Sequence, residues 1–291
     1  MNNYKFTSRT LIEKGWSGDK KYCVTTEQNK RLLLRVSPIE ALERKKTQFE
    51  LMKRVYALGV PMCAPIALGQ SDEGVWSLQG WIEGDDLELA IKDLTENEQY
   101  SYGYEAGQIL KKIHSIPAPS GIEDWQSYFN KKIDKKLRAY EECELKYEGG
   151  ELLVEYINSH RELLSKRERT YQHGDYHIGN MMLGKDKRLY IIDFDRDDFG
   201  DPWQEFNRIV WCATASPSFA TGMVNGYFDN CVPLEFWELL ALYISVNTIS
   251  SLPWAIPFGE GEIKTMRAQA SKVLEWYDNM KNPIPRWYFV K

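Results

Sequence analysis

The segment YQHGDYHIGNMMLGKDKRLYIIDFD, residues 171–195, limits the fold of this chain more than any other stretch. It gathers His173, Asp175, His177 and Asn180 within eight positions. Its second part, MMLGKDKRLYIIDFD, reads as strand, turn, strand. A hairpin brings its two ends together, so Asn180 and Asp193 become neighbours. Two chemistries fit the loop taken alone. His173, Asp175 and His177 fall on one face of an extended strand, because side chains alternate, and such a set can hold zinc. Alternatively Asp175 is the base of a phosphoryl transfer, with Asn180 and Asp193 as ligands of Mg²⁺.

The rest of the chain bears on that choice. Only four His occur, and His114 and His160 lie in charged helical stretches, so no second ligand set accompanies the loop. A net charge of −5 over 291 residues argues against a general nucleic-acid binder, because phosphate backbones demand a basic face. The imbalance is uneven: residues 1–171 carry 26 basic and 27 acidic side chains, residues 172–291 carry 11 and 15. Five scattered Cys, with no C-x-x-C pair, are expected as buried thiols in a reducing compartment. The N-terminus MNNYKFTSRT lacks the apolar core of a signal peptide, and no run approaches the roughly 18 apolar residues of a membrane span. The expectation is a cytoplasmic protein without membrane or nucleic-acid partners, monomeric or weakly dimeric.

Along the chain, KYCVTTEQNKRLLLRVS reads as a β-hairpin around Glu27-Gln28-Asn29. Ser37-Pro38 suits the start of a helix that stops at Gly59. APIALGQSDEGVWSLQGWI reads as two more strands. Residues 1–82 are thus expected as a small sheet with one helix, and residues 83–291 as a large helical part after a linker at Glu83–Asp86. Thr95 caps a long helix, charged helices fill residues 123–168, and residues 202–252 are aromatic and mostly helical. A last helix is expected over 262–281.

HGDYHIGN and IIDFDRDDFGDPWQEF resemble the aminoglycoside phosphotransferase and choline kinase superfamily, relatives of the protein kinases. The resemblance runs from the Gly-Ser loop near residue 15 to the helices after Asp193. It implies an α+β, protein-kinase-like bilobal fold and a nucleoside-triphosphate-dependent O-phosphotransferase. Carried over by motif, Asp175 is the catalytic base, Asn180 and Asp193 hold Mg²⁺, and ATP or GTP is the co-substrate. Ser17 in KGWSGDKKY covers the phosphates, and backbone at Gly80 and Ile82 meets the base. His173 buttresses the loop; Asp195 supports the metal site or caps the loop, and Asp201 and Glu205 fix the loop and the helix start. The family's usual Lys in the third strand is replaced here by Arg35, and its acidic partner falls at Gln48 or Glu50.

The resemblance leaves the acceptor open. An aminoglycoside-type antibiotic, hence antibiotic resistance, comes first, because the C-terminal part is acidic. Glu260, Glu262 and Trp254, read as an acidic glycine-bearing loop beside aromatics, are the candidate cation contacts; a helix-start role for both Glu is the alternative. A metabolic alcohol such as choline, ethanolamine or a sugar-like compound is the second reading. A nucleotide-binding pseudo-enzyme is the third, and the presence of Asp175, Asn180 and Asp193 together speaks against it.

Overall fold

The structure, a computed structural model, describes residues 4–13 and 18–289. In chain order the strands are β1 (Phe6–Ile12), β2 (Lys20–Thr26), β3 (Arg31–Ser37), β4 (Pro65–Ser71), β5 (Gly74–Gly80), β6 (Gly84–Asp86), β7 (Thr170–Gln172), β8 (Met181–Gly184), β9 (Leu189–Ile191) and β10 (Asp198–Gly200). The helices are α1 (Leu42–Ala57), α2 (Leu87–Ala90), α3 (Glu96–Ile113), α4 (Trp125–Glu142), α5 (Gly150–Ser159), α6 (Ile209–Ala215), α7 (Pro217–Tyr227), α8 (Leu234–Ala255) and α9 (Glu260–Trp276). The chain divides into two compact units, one running to Ala90 and including Gly179–Asp197, the other Ile91–Ile178 with the chain from Asp198 onward. The hairpin of residues 181–191 thus belongs with the N-terminal sheet, and the division falls at Ala90 rather than at residue 82.

The first unit is built on an antiparallel sheet of order β1-β2-β3-β5-β4. Alternation along β3 sends Leu32, Leu34 and Val36 into a core with Val24, Trp76 and Leu78. Leu33 and Arg35 therefore point to the opposite face. The expected helix start at Ser37 is not used. Ser37 ends β3, and its hydroxyl donates to the Asp19 carboxylate at 2.6 Å. Ser37 stays in the extended conformation of the strand, and the N-cap positions fall to Pro38 and Ala41. Chain entry is instead a 3₁₀ turn, Ile39–Ala41, before α1. The second sheet of this unit has the order β6-β8-β9. Gly84 pairs with Gly184 across it, and a Cβ on Gly84 would lie 2.3 Å from the Leu183 carbonyl oxygen. The linker strand docks because that position lacks a side chain.

The second unit is helical. Thr95 caps α3 in a capping box with Glu98, as its sequence suggests. Helices α3 and α7 meet backbone to backbone over two glycine pairs, Gly103 with Gly107 and Gly222 with Gly226. A Cβ at Gly103 would lie 2.1 Å from the Phe219 carbonyl oxygen, and one at Gly222 2.2 Å from that of Tyr100. The helix α8 is apolar all round and forms the centre of the unit. The expectation that nothing approaches a membrane span in length and hydropathy fails here: Leu234–Phe258 is long and apolar enough, and 67% of its most apolar window is buried within the protein. The C-terminal tail packs, with Trp287 and Tyr288 against Trp237. Of the five cysteines, all free, Cys143 and Cys212 are buried and Cys231 is exposed.

Candidate active site

In the first unit the sheet register sets up a charged cluster. Lys21 pairs with Arg35 across β2 and β3, so both side chains emerge on the face away from the core. The β8–β9 hairpin is closed by Met181 opposite Ile191, and the Ile192 amide donates to the Asn180 carbonyl at 3.0 Å. That bond places Asn180 one residue from Asp193. Asp193 itself has φ 65° and ψ 60°, a left-handed conformation that costs a non-glycine residue about 1 kcal/mol. Its carboxylate receives Lys21 Nζ at 2.9 Å on one oxygen and Arg35 Nη1 at 2.7 Å on the other. Burial opposes ionisation of Asp193, but Arg35 and Lys21 outweigh it and hold the carboxyl well below the usual range.

Behind Asp193 lies a second layer. Asp19 accepts from Arg35 Nε at 3.1 Å and from Lys45 Nζ at 2.8 Å. Lys45 also reaches Asp195 at 2.5 Å. Burial raises the Asp19 carboxyl, and Lys45, Ser37 and Arg35 together bring it below its ordinary value. Three cations and three carboxylates thus neutralise one another, as buried charges require. Arg35 Nη2 sits 3.0 Å from Asp19 but makes no well-directed hydrogen bond, which leaves a buried donor with capacity to spare.

The front of this cluster lines a cleft of about 250 Å³. Lys21, Arg35, Asn180 and Asp193 form its polar side; Ile12, Leu33, Ile82, Met182 and Ile192 form its apolar side. Cys63 also borders it, its thiol pushed by burial up to about 12 and so protonated at neutral pH.

In the second unit β7 and β10 pair and carry the polar loop of residues 173–178. The loop is held from beneath. The Gly174 amide donates to Glu205 at 2.8 Å, with Gly174 at φ 84°. The Asp175 amide donates to His173 Nδ1 at 3.3 Å, which makes that nitrogen the unprotonated one. The Tyr176 hydroxyl donates to the Ala106 carbonyl at 2.7 Å, and the Ile178 amide to Cys212 Sγ at 3.4 Å. Asp201 is fully buried, bound by Arg167 at 2.7 Å, the Tyr243 hydroxyl at 2.6 Å and the Trp203 amide at 2.9 Å. What this scaffold presents is the Asp175 carboxylate, with Arg208 Nε at 3.2 Å and His177 Nε2 at 3.7 Å.

The model of one family, described as the phosphotransferase enzyme family, matches residues 8–239. The chain belongs to this family. No curated protein sequence matches it. Among solved structures, a choline/ethanolamine kinase family protein from Mesorhizobium loti is similar over 96% of this chain and 92% of its own, at 14% identity and a TM-score of 0.66. The aminoglycoside phosphotransferase APH(2'')-Ib, ADP-bound, is similar over 94% and 96%, at 16% identity and a TM-score of 0.64. A thermostable APH(4)-Ia in ternary complex with ADP and hygromycin B covers 93% and 94%, at 14% identity and 0.66. The kinase-like fold expected from the sequence is therefore present. Family membership carries the reaction class: this phosphotransferase moves a phosphoryl group from a nucleoside triphosphate to a hydroxyl acceptor.

The remaining expected positions of the phosphotransferase fall out as follows. Ser17 lies outside the described residues. Arg35 has neither Gln48 nor Glu50 as its acid. Glu50 pairs on the surface with Lys53, and Gln48 donates to the Phe194 carbonyl at 2.8 Å and to Asp197 at 2.6 Å. Asp19 takes the place instead. The Gly80 amide is engaged by the Ala64 carbonyl at 2.8 Å, whereas Ile82 has no backbone partner among the described residues. Glu260 and Glu262 are in the first turn of α9, not in a loop, and Trp254 is inside α8, its ring tilted against Phe258 at 4.8 Å. The Gly259 backbone, at φ 90°, starts α9 earlier than the sequence pattern suggests. The sequence reading passed over Asp19, Lys21, Lys45 and Arg208. Lys21 was within reach of it, because a Glu27–Asn29 turn fixes the register that sets Lys21 opposite Arg35.

Proposed function

We propose that this chain transfers the γ-phosphoryl group of ATP or GTP to a hydroxyl of a small molecule, with Asp175 as base. One observation carries the reading: Asn180 and Asp193 line the same cleft as Arg35, Lys21 and Ile82, so metal donors, phosphate-binding cations and a free hinge residue occur together. The apolar wall of Leu33, Met182 and Ile192 suits a flat base, with Ile82 backbone as its hydrogen-bonding edge. Arg35 and Lys21 suit the phosphates. Ser17, by the family resemblance, covers them.

The donor set also suits Mg²⁺. One carboxylate and one amide oxygen are hard ligands, and this ion relies on substrate phosphates and water for its other positions. When bound by Asn180 and Asp193, Mg²⁺ draws charge from the phosphates. In the transfer, the acceptor oxygen bonds to the γ-phosphorus as its bond to the bridging oxygen breaks. The nucleoside diphosphate leaves, and the hydroxyl proton passes to Asp175. Positioning and charge stabilisation supply most of the rate in such chemistry.

Both acceptor classes expected from sequence occur among the similar structures, which include choline/ethanolamine kinase and aminoglycoside phosphotransferase relatives. Arg208 beside Asp175 favours a neutral or anionic alcohol over a polycationic aminoglycoside. A cation-binding role for Glu260, Glu262 and Trp254 belongs to the aminoglycoside reading. The test is a screen of hydroxylated acids, alcohols, amines and aminoglycosides for nucleotide consumption above the acceptor-free background. Turnover of at least one class supports the reading. Zinc in the purified protein together with no turnover would replace it by the metal-hydrolase reading.

A further inference from the structure

Helix α4 breaks its own pattern. Trp125, Phe129, Ile133 and Tyr140 are buried along one stripe. Lys132 and Lys136, one helical turn apart, fall within or beside that stripe and are half-buried. Lysines at such positions violate the division of a helix into apolar and polar faces, and rule-breaking of that kind concentrates at functional sites. Lys132 lies 5.9 Å from the centroids of the Tyr128 and Phe129 rings. Lys136 has no carboxylate within ion-pair distance among the described residues.

The surroundings do not neutralise the pair. Burial lowers the Lys132 ammonium; Asp198 favours its charge, and Arg208 and Arg169 oppose it. For Lys136, burial and the charges of Lys132 and Arg208 all act against the ammonium. Asp198 is shared with the Tyr128 hydroxyl, and Arg208 is the residue that meets Asp175 at 3.2 Å. Among the described residues neither Lys132 nor Lys136 forms an ion pair with a carboxylate, and Asp198 is the acid that acts on Lys132. Burial, and then repulsion from Lys132 and Arg208, bring the Lys136 ammonium down to about 7. A half-buried cation without a counter-charge is costly unless a ligand supplies one.

We propose that Lys136, with Lys132 and Arg208, binds an anionic group of the acceptor, a carboxylate or a phosphate. This rests on Asp175 being the base of the transfer, because Arg208 links the cluster to that residue. The acceptor is then a hydroxyl compound that carries a negative charge, with the anion anchored on α4 and its hydroxyl at Asp175.

Two measurements test it. In the first, inorganic phosphate is titrated into the protein saturated with MgADP, which occupies the nucleotide site. Binding is expected in the parent, weakened about tenfold or more in Lys136→Met and restored in Lys136→Arg. No binding in the parent, or equal binding in Lys136→Met, overturns the anion site. In the second, matched acceptors on one carbon skeleton, bearing a carboxylate, a phosphate monoester, an amide or an amine, are compared by kcat/KM. The anionic members are expected to exceed the amide by about tenfold or more, and Lys136→Met to narrow that gap through KM. The better of the carboxylate and phosphate members identifies the anion. Preference for the amine overturns the proposal. If phosphate binds through Lys136 but no acceptor of any kind is phosphorylated, the anion site stands and the phosphotransfer reading falls.

Discussion

Arg35 and Asp193, 158 residues apart in sequence, meet at 2.7 Å with Lys21 closing the other carboxylate oxygen. The residue assigned to metal binding is thus already held in place by two cations. Its left-handed backbone is tolerated by Asn as well as Asp. Asp193→Asn should therefore fold, yet lose the charge that faces a metal. Calorimetry should show Mg²⁺-nucleotide affinity reduced about tenfold or more, and metal-free nucleotide affinity little changed. Equal Mg²⁺-nucleotide affinity would remove Asp193 from that role.

Asp19 is the hub of the second layer, shared by Arg35, Lys45 and Ser37. Removing one partner of a buried charge network strands the others. Asp19→Asn is expected to lower stability at neutral pH by about 3 kcal/mol or more, read from urea unfolding. Loss of less than about 1 kcal/mol would show that Lys45 and Arg35 find other partners.

Acid should act through the same groups. The carboxyls of Asp19 and Asp193 are both lowered in the folded state. Their stabilisation is complete above the unfolded value, about 3.9, and is lost as pH falls through the folded value. The urea midpoint should fall below about pH 4, and less steeply in Asp19→Asn than in the parent. Parallel curves would contradict the shifted state of Asp19.

The glycine seam between α3 and α7 makes a separate claim about the fold. Gly222→Ala would set a Cβ 2.2 Å from the Tyr100 carbonyl oxygen, and a helix backbone cannot yield locally. The expected cost is about 1–3 kcal/mol, even though alanine favours helices. A neutral or stabilising effect in thermal unfolding would mean the helices lie further apart.

What the sequence showed was mostly local. The β2–β3 and β8–β9 hairpins, the Thr95 cap and the approach of Asn180 to Asp193 all follow from short-range patterns. Asp19 was hidden because its partners Arg35, Ser37 and Lys45 lie 16, 18 and 26 residues away, beyond the reach of a local pattern. The charged look of residues 123–168 concealed that Lys132 and Lys136 belong to the inward stripe of α4. Gly103 and Gly107 carry no local signal, since only their counterparts on α7 give them meaning. Ser37 had the signature of a cap, but β3 runs through it and the helix starts later.

The central claim is phosphoryl transfer with Asp175 as base. Its most direct test is single-turnover transfer of the labelled γ-phosphoryl group to the best acceptor, in the parent and in Asp175→Asn, with nucleotide binding measured alongside. The account predicts unchanged nucleotide affinity and a transfer rate reduced roughly a hundredfold or more. Transfer at the parent rate in Asp175→Asn would contradict it.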